Sequence, residues 1–334
     1  MGTMPVLNRS LGMRRRGFIT LLAAVAARPI AAFAQQRLPR VGVLLYGRAA
    51  PPGDLQIAAE LARIGYVEGR NIAYEIRGAE GDITRLPSLA RELVAVRPEV
   101  LVGSTAQIAV ALFDATREIP IVITLVSDPI ALGLSTSISR PTRNVTGFTT
   151  SSLSLAAKRL EILHEVVPAT SKVGYLWAPQ NPSAVFYKSR VQQAAEALGI
   201  KLVPLPLTSD ADVVGAFARA DEEQVTAVLT EADTLTYRLS GSIVDQCLIR
   251  NLPAMHSWSI EVRNGALMSY GPAEPENNAR AALYVDRILK GAKIAELPFE
   301  EPTEIKLAIN LRTARSIGLA LSPAFIMRAD EVIE

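Results

Sequence analysis

Small polar side chains recur where the apolar segments of this chain end. Ser104 and Thr105 follow "VLVG" and lead into a helical pattern, and Ser127 and Asp128 follow "PIVITLV". Hydroxyls and free backbone N–H groups at a helix start suit a carboxylate, whereas an acidic side chain suits an ammonium group. Ser, Thr and Asp also cap helices and turns, so both roles stay open at these positions.

The same pattern adds further candidates for ligand contact. Asn181 precedes Pro-Ser and a helix, and it suits either a ligand contact or a turn, while Asp233 suits either a positive ligand group or a helix cap. Tyr46, followed by Gly47, ends the first apolar segment and could stack on an aromatic or apolar solute. Tyr270 ends a later apolar segment, and its side chain could either contact a ligand or pack between two lobes of the fold.

The motifs that signal catalysis are missing from the sequence. The stretch "YGRAAPPGD" after the first apolar segment lacks the G-x-G-x-x-G of a dinucleotide site, and no G-x-S-x-G nucleophile elbow occurs. The chain has two His and one Cys, Cys247, which excludes an intramolecular disulfide and makes a zinc site improbable. We therefore expect no cofactor, no metal and no enzymatic activity, with an α/β enzyme kept as an alternative.

The elements that must position these residues alternate along the chain. Apolar segments bounded by Gly predict strands buried on both faces, and apolar residues at helical spacing predict the helices between them. The predicted strands are 40–47, 71–78, 99–105, 120–129, 172–179, 201–207 and 225–230, and the predicted helices 54–64, 84–97, 106–117, 183–198, 210–221 and 234–250. Because this alternation of strands and helices begins again near residue 172, we predict an α/β fold with two similar doubly wound parallel-sheet lobes.

The last part of the chain has too few elements for a third core. We predict a strand over 265–271, a helix over 275–290 and a strand over 303–310. These elements must complete the two lobes, so the chain crosses between the lobes more than once. The strand-end candidates of both lobes then converge on one cleft, because ligands sit beyond the carboxyl ends of parallel strands.

The sequence resembles the ABC-transporter substrate-binding family, which includes tryptophan- and tyrosine-type binding proteins. The matching stretches follow in order from "VGVLLYG" through "VSDPIALGL", "RPTRNVTGF" and "GALMSYGP" to "RADEVIE". The resemblance implies a type I periplasmic binding protein: two α/β lobes, a three-segment hinge and a ligand between the lobes. We expect lobe 1 to comprise residues 38–145 and 258–297, and lobe 2 residues 146–257 and 298–334.

The resemblance also implies a function and partners. We expect the chain to bind a small carboxylate-bearing solute, such as an amino acid or a related aromatic acid, and to deliver it to the ABC permease subunits of an importer. The alternative is a sensor of the same fold that presents its ligand to a signalling receptor. We expect a monomer that binds no nucleic acid, because no basic patch with interleaved aromatic residues is present.

The first 34 residues have the features of a cleaved export signal. "MRRR" precedes a ten-residue apolar stretch, which Arg28-Pro29 interrupts too early for a membrane span, and Ala32-Phe33-Ala34 fits a cleavage site. Arg15-Arg16 leaves the twin-arginine and general secretory routes both open, and the natural start is Met1 or Met13. Removing the five Arg of this segment changes the net charge from +2 to −3. No Cys follows the cleavage site for lipid attachment, so we expect a freely diffusing periplasmic protein.

Overall fold

The computed structural model describes residues 1–2, 37–272 and 277–334. Leu38–Glu334 form one compact unit. The expected signal segment, apart from its first two residues, lies outside the described residues. Among the described helices, none combines the length and apolar character needed to cross a membrane.

The first lobe is built on a five-stranded parallel sheet in the order β2-β1-β3-β4-β5. Its strands are β1 (Arg40–Leu45), β2 (Ala73–Gly78), β3 (Val100–Gly103), β4 (Ile121–Val126) and β5 (Val145–Thr149). The helices between them are α1 (Gln56–Arg63), α2 (Leu86–Ala95) and α3 (Ala106–Ala115). The close fit of β1 to its neighbours requires Gly42, where a Cβ would lie 2.7 Å from a Leu101 methyl.

The second lobe is built on a seven-stranded sheet in the order β12-β11-β10-β9-β8-β6-β7. Its strands are β6 (Lys172–Trp177), β7 (Lys201–Pro206), β8 (Ala227–Thr230), β9 (Ala254–His256), β10 (Met268–Pro272), β11 (Ile305–Asn310) and β12 (Glu331–Ile333). Its helices are α4 (Ser152–Val166), α5 (Ala184–Leu198), α6 (Asp212–Glu222), α7 (Thr234–Arg238), α8 (Ser240–Ile249), α9 (Ser259–Arg263), α11 (Leu311–Ser316) and α12 (Pro323–Ile326). Helix α10 (Asn277–Leu289) instead packs against α1, β4 and β5 of the first lobe.

The two-lobed α/β prediction is confirmed, but the structure also has elements that were not predicted, among them strands β5 and β12. Strand β11 runs antiparallel to β10, whereas we expected wholly parallel sheets. The predicted helix over 234–250 is two helices, α7 and α8, which meet at Leu239. Leu239 is buried in the core of the second lobe, and an apolar residue there fits one continuous helix equally well, so periodicity does not reveal the break.

The chain passes between the two sheets at three places. The crossings lie between Thr149 and Ser152, after Pro272 and before Asn277, and between Glu300 and Ile305. Ser151, in the first crossing, has a left-handed backbone with φ 48°. The middle crossing differs from the expected boundary at residue 258, because β10 pairs with β9 and β11 of the second sheet. Sequence periodicity predicts that β10 is a strand but carries no information about which strands pair with it.

Candidate functional site

A cleft of about 740 Å³ lies between the two lobes. It opens beyond the carboxyl ends of the strands in both sheets, the position where ligands bind in open parallel sheets. Its first-lobe residues are Tyr46, Ser104, Thr105, Ala106, Gln107, Leu125 and Ser127. Its second-lobe residues are Asn181, Ser183, Tyr187, Ala232, Asp233, Thr234, Tyr237, Trp258 and Ile260, and the hinge side adds Thr150, Pro272, Arg280, Pro302, Thr303, Glu304 and Lys306.

Helix α3 points its amino terminus into the cleft. Thr105 is the N-cap, and its hydroxyl accepts the Ile108 N–H at 3.2 Å. The first N–H groups of a helix lack intrahelical partners, so Ala106 and Gln107 present two donors beside the Ser104 hydroxyl. Thr105 therefore acts as a helix cap within the cleft, and the donors around it suit a carboxylate.

Asp233 faces helix α3 from the second lobe. One carboxylate oxygen accepts the Leu235 N–H at 2.6 Å, which caps helix α7, and the other accepts Gln107 Nε2 across the cleft at 3.4 Å. Burial raises the pKa of Asp233 above its usual range, and the hydrogen bonds from Leu235 and Gln107 oppose this rise. A carboxyl group buried in this way gains most from a positively charged partner.

Aromatic side chains form one wall of the cleft. Tyr237 and Trp258 of the second lobe make an edge-to-face pair, with ring centroids 5.5 Å apart and an interplanar angle of 85°. Tyr46 of the first lobe and the apolar side chains of Leu125 and Ile260 line the same cavity. This surface suits a flat apolar group, because aromatic rings pair favourably in edge-to-face or offset geometry.

A second contact joins the lobes near the hinge. The Ser127 hydroxyl at the end of β4 donates to the Ser183 hydroxyl at the start of α5, at 2.7 Å. The hydroxyl of Tyr187, which is 2 % exposed, hydrogen-bonds with Ser127 and with Ser152 of the first crossing. Burial raises the pKa of Tyr187. The two lobes are thus held together by small polar groups at the hinge end of the cleft.

Below the cleft, a buried carboxyl group supports Asn181. Glu231, which is 2 % exposed, accepts Asn181 Nδ2 at 3.1 Å and the Tyr175 hydroxyl at 2.8 Å. Burial and, to a smaller extent, the nearby Asp233 raise the pKa of Glu231 to about 8, against the opposing effect of its two hydrogen bonds. Glu231 does not itself line the cleft, so sequence analysis directed at strand-end surfaces overlooked it.

A fully buried arginine ties two of the crossings together. Arg159 of α4 donates from Nε to the Tyr270 carbonyl at 2.6 Å and from Nη1 to the Ser152 carbonyl at 3.3 Å. Its burial lowers the pKa of the guanidinium, an effect that Glu261, Tyr175, Tyr187 and Tyr270 oppose. On the hinge wall of the cleft, Arg280 pairs with Glu300, and Lys306 pairs with Glu304 at 3.3 Å.

Six of the nine expected site residues line the cleft, and three lie elsewhere. The six are Tyr46, Ser104, Thr105, Ser127, Asn181 and Asp233. Gly47 lies outside the cleft, in an open groove with Arg48 and Glu80. The Asp128 carboxylate caps a turn by accepting the N–H groups of Ile130 and Ala131. Tyr270 packs against the core of the second lobe.

The structure adds cleft-lining residues that were not among the nine expected site residues. Gln107 and Tyr237 each lie within about one helical turn of an N-cap residue, Thr105 and Asp233 respectively, so their spacing from a predicted helix start is the signal that identifies them. Trp258, the N-cap of α9, follows β9 by two residues and obeys the strand-end rule itself. The hinge-side residues carry no such local signal, because three distant crossings bring them together.

The site holds hydrogen-bond donors, one buried acid and an aromatic wall. Among the described residues, neither His nor Cys lines the cleft. His256 is buried and its Nδ1 lies 3.2 Å from Glu261, while Cys247 is buried in the core of the second lobe. The arrangement is suited to holding a small zwitterion with an apolar side chain.

Residues 56–333 match the family model described as ABC transporter substrate binding protein. A curated relative, the tyrosine-binding protein of Clostridioides difficile (strain R20291), is 23% identical over 262 residues, which cover 76% of this chain and 73% of the relative.

Solved structures share the fold over most of the chain. A conserved domain protein from Vibrio cholerae is 26% identical, with a TM-score of 0.79 and coverage of 89% of this chain and 100% of that one. A Streptococcus pneumoniae domain in complex with L-Trp is 22% identical, with a TM-score of 0.76 and the same coverage. A ligand-free, open substrate-binding protein from Clostridium difficile is 20% identical, with a TM-score of 0.60 and coverage of 89% and 99%.

Proposed function

This chain belongs to the ABC transporter substrate-binding protein family, and on that premise we propose that it binds an aromatic α-amino acid in the interlobe cleft. In this proposal the protein is exported and carries the amino acid to the membrane permease of an importer. It acts as a binding protein and catalyses no reaction. It works as a monomer, since both halves of the cleft come from one chain.

The contact between Gln107 and Asp233 carries the proposal. It places the donor-rich amino terminus of helix α3 opposite a buried carboxyl group, with 3.4 Å between Gln107 Nε2 and Asp233 Oδ2. An α-amino acid carries its carboxylate and ammonium groups two bonds from each other. A ligand seated beside this contact can place its carboxylate at the N–H groups of α3 and its ammonium at Asp233.

The aromatic wall supports an aromatic side chain. Tyr237 and Trp258 offer ring edges and faces on the second-lobe side of the cleft, and Tyr46 lines the first-lobe side. The similarity to a tyrosine-binding protein and to a domain bound to L-Trp supports the same ligand class. Micromolar binding needs about 8 kcal/mol, which a few charge-assisted hydrogen bonds and one buried ring together supply.

A thermal-shift screen tests the ligand class. The mature chain is heated with each of the common amino acids, with tyramine and with phloretic acid, which lack the carboxylate and the ammonium group of L-tyrosine respectively. We expect L-tyrosine or L-tryptophan to raise the Tm most, because a ligand at 100 times its Kd stabilises the folded state by about 2.7 kcal/mol. Tyramine and phloretic acid should each raise it less. A Tm unmoved by every aromatic amino acid contradicts the proposal.

Export and delivery need separate measurements. The amino terminus of the secreted protein, determined by sequencing, should begin at Gln35, which follows the predicted cleavage site. Cells that lack the protein should take up radiolabelled L-tyrosine more slowly at low external concentration, and the cloned chain should restore uptake. Chemical conversion of the bound amino acid by the purified protein would instead indicate an enzyme.

A further inference from the structure

A continuous line of hydrogen bonds runs from the buried Glu231 to the opposite lobe. Asn181 Nδ2 donates to Glu231 Oε1 at 3.1 Å, and Asn181 Oδ1 accepts the Ser183 N–H at 2.9 Å. The Ser183 hydroxyl then accepts the Ser127 hydroxyl of the first lobe at 2.7 Å. Asn181 and Ser183 also line the cleft, so this line touches both the ligand cavity and the interlobe contact.

We infer that Glu231 is a positioning residue for closure of the cleft: it orients the Asn181 amide and, through Asn181, the Ser183 group that meets Ser127. The amide of Asn181 has two possible orientations, with its oxygen and nitrogen exchanged. Only the one with nitrogen toward Glu231 leaves oxygen free to accept the Ser183 N–H. An acceptor at Glu231 selects this orientation and so fixes the start of helix α5.

The hydrogen bonds of Glu231 also explain how its carboxyl group can be buried. A buried carboxyl group without partners destabilises the fold. Glu231 has two donors, Asn181 and Tyr175, one on each oxygen, and its main chain anchors the loop that carries Asp233, because the Glu231 carbonyl accepts the Thr236 hydroxyl at 2.6 Å. Glu231 therefore joins the loop of Asn181 to the loop of Asp233, the two second-lobe loops that carry the polar side of the cleft.

Ionisation of Glu231 should modulate this positioning. Two donors on separate oxygens suit the carboxylate form, whereas the acid form has an O–H that competes for one of these positions. The groups that face Glu231 are Tyr175 of β6, Tyr187 of α5, Asn181 and Asp233, and Arg159 of α4 is the charged group beside Tyr175 and Tyr187. Because burial raises the pKa of Glu231 to about 8, we expect closure of the ligand-free protein to strengthen as the pH rises from 7 to 9.

The experiment compares two substitutions at this position. Glu231→Gln retains an oxygen acceptor for Asn181 but cannot ionise, whereas Glu231→Leu has no acceptor. Glu223→Gln, at a partly exposed site outside the cleft, loses an ion pair with Lys201 and is the matched control. The readouts are the interlobe distance of the ligand-free protein by pulsed electron–electron double resonance at pH 7 to 9 and the Kd for L-tyrosine at pH 7. Spin labels are placed at Ser88→Cys and Ser242→Cys, both exposed sites, since Cys247 is buried.

We expect Glu231→Leu to lengthen the interlobe distance and weaken L-tyrosine binding by roughly tenfold or more, because the Asn181 donor loses its buried partner. At pH 7, Glu231→Gln should keep the wild-type distance and bind L-tyrosine within about threefold of wild type, and it should lose the strengthening of closure toward pH 9. Glu223→Gln should behave as wild type throughout. Glu231→Leu with wild-type distance and Kd would overturn the inference, as would equal losses in both Glu231 variants.

A Glu231→Leu protein that does not fold is replaced by Ser183→Ala. This change leaves Glu231 and Asn181 in place but removes the hydroxyl that meets Ser127. It should open the lobes and make the interlobe distance independent of pH, so that adding Glu231→Gln changes the distance no further. A further change in the double variant would overturn the inference. The inference rests on the proposed function only for the choice of L-tyrosine as probe. If the wild type does not bind L-tyrosine, that function fails, and the distances in the ligand-free proteins still decide the role of Glu231.

Discussion

Gln107 Nε2 of helix α3 lies 3.4 Å from Asp233 Oδ2 of the opposite lobe. The first residue follows the N-cap Thr105, and the second is itself the N-cap of α7. The two residues belong to different lobes, and 126 positions of sequence separate them. Their contact sets the distance between the donor end and the acidic end of the cleft.

Asp233→Asn should weaken L-tyrosine binding by about tenfold or more while the fold stays intact. The change removes the charge that faces the ammonium group, and a charge-assisted hydrogen bond contributes about 1.5–3 kcal/mol. Asn caps helices as well as Asp does, so the cap of α7 is retained. Isothermal titration with L-tyrosine and with phloretic acid measures the effect. Phloretic acid has no ammonium group, so its weaker binding should be unchanged or improved. The exposed Asp245→Asn serves as control, and equal losses for both ligands would contradict this role of Asp233.

The amino terminus of α3 should determine recognition of the carboxylate. Ser104→Ala removes one donor without touching the N-cap and should weaken L-tyrosine roughly tenfold relative to tyramine, which has no carboxylate. Thr105→Ala should also cost about 1 kcal/mol of folding free energy, because the hydroxyl caps Ile108. Thr105→Ser keeps the cap and should restore stability. Competition binding gives the ligand preference and urea unfolding the stability; an unchanged preference in Ser104→Ala would place the carboxylate elsewhere.

The fluorescence of Trp258 should report binding directly. The chain has two Trp, and Trp258 lines the cleft whereas Trp177 lies on β6 and packs against the core of the second lobe. We expect L-tyrosine to change the emission of Trp177→Phe as strongly as that of wild type, and to leave the emission of Trp258→Phe unchanged. Tyr237→Ala should weaken binding by about tenfold through loss of ring contact, and Tyr237→Phe should be close to neutral. A ligand response that persists in Trp258→Phe would contradict the aromatic wall.

The pH dependence of stability should include a contribution from Glu231. Its pKa is raised by burial from 4.5 to about 8 in the folded protein. Between these values the folded state holds a proton that the unfolded chain has released, so the free energy of unfolding falls as the pH rises, by about 1.4 kcal/mol per pH unit. The loss ends above pH 8. Urea titrations from pH 5 to 9 should show a flatter profile for Glu231→Gln, and parallel profiles would show that Glu231 titrates normally.

Arg159 should govern the stability of the hinge. Its guanidinium donates to the carbonyls of Tyr270 and Ser152, which flank two different crossings. Arg159→Met leaves both carbonyls without this buried donor and should cost about 2–5 kcal/mol of folding free energy. Arg159→Lys retains the charge but not the forked geometry, and it should recover only part of the loss. Chemical denaturation measures both variants, and the exposed Arg219→Met provides the control.

Local sequence was sufficient for the architecture. Apolar segments such as 41–44 and 173–176 are buried on both faces in the structure, as continuous apolar strands must be in an α/β fold. The positions just after such strands are polar, and the topology of a parallel sheet places them at one edge. For this reason Ser104, Thr105, Asn181 and Asp233 could be predicted as cleft residues from the chain alone.

Tertiary structure decided which of these residues face one another and which are buried. Asp128 and Asp233 both follow apolar strands, yet one caps a turn outside the cleft and the other meets Gln107 inside it. Glu231, two residues before Asp233, carries no pattern that separates it from an exposed acid. The raised pKa of Glu231 arises from desolvation, and its hydrogen bond with Asn181 joins residues that are far apart in sequence. Periodicity records how a residue relates to its own helix or strand, whereas burial and pairing across the lobes depend on how distant segments pack.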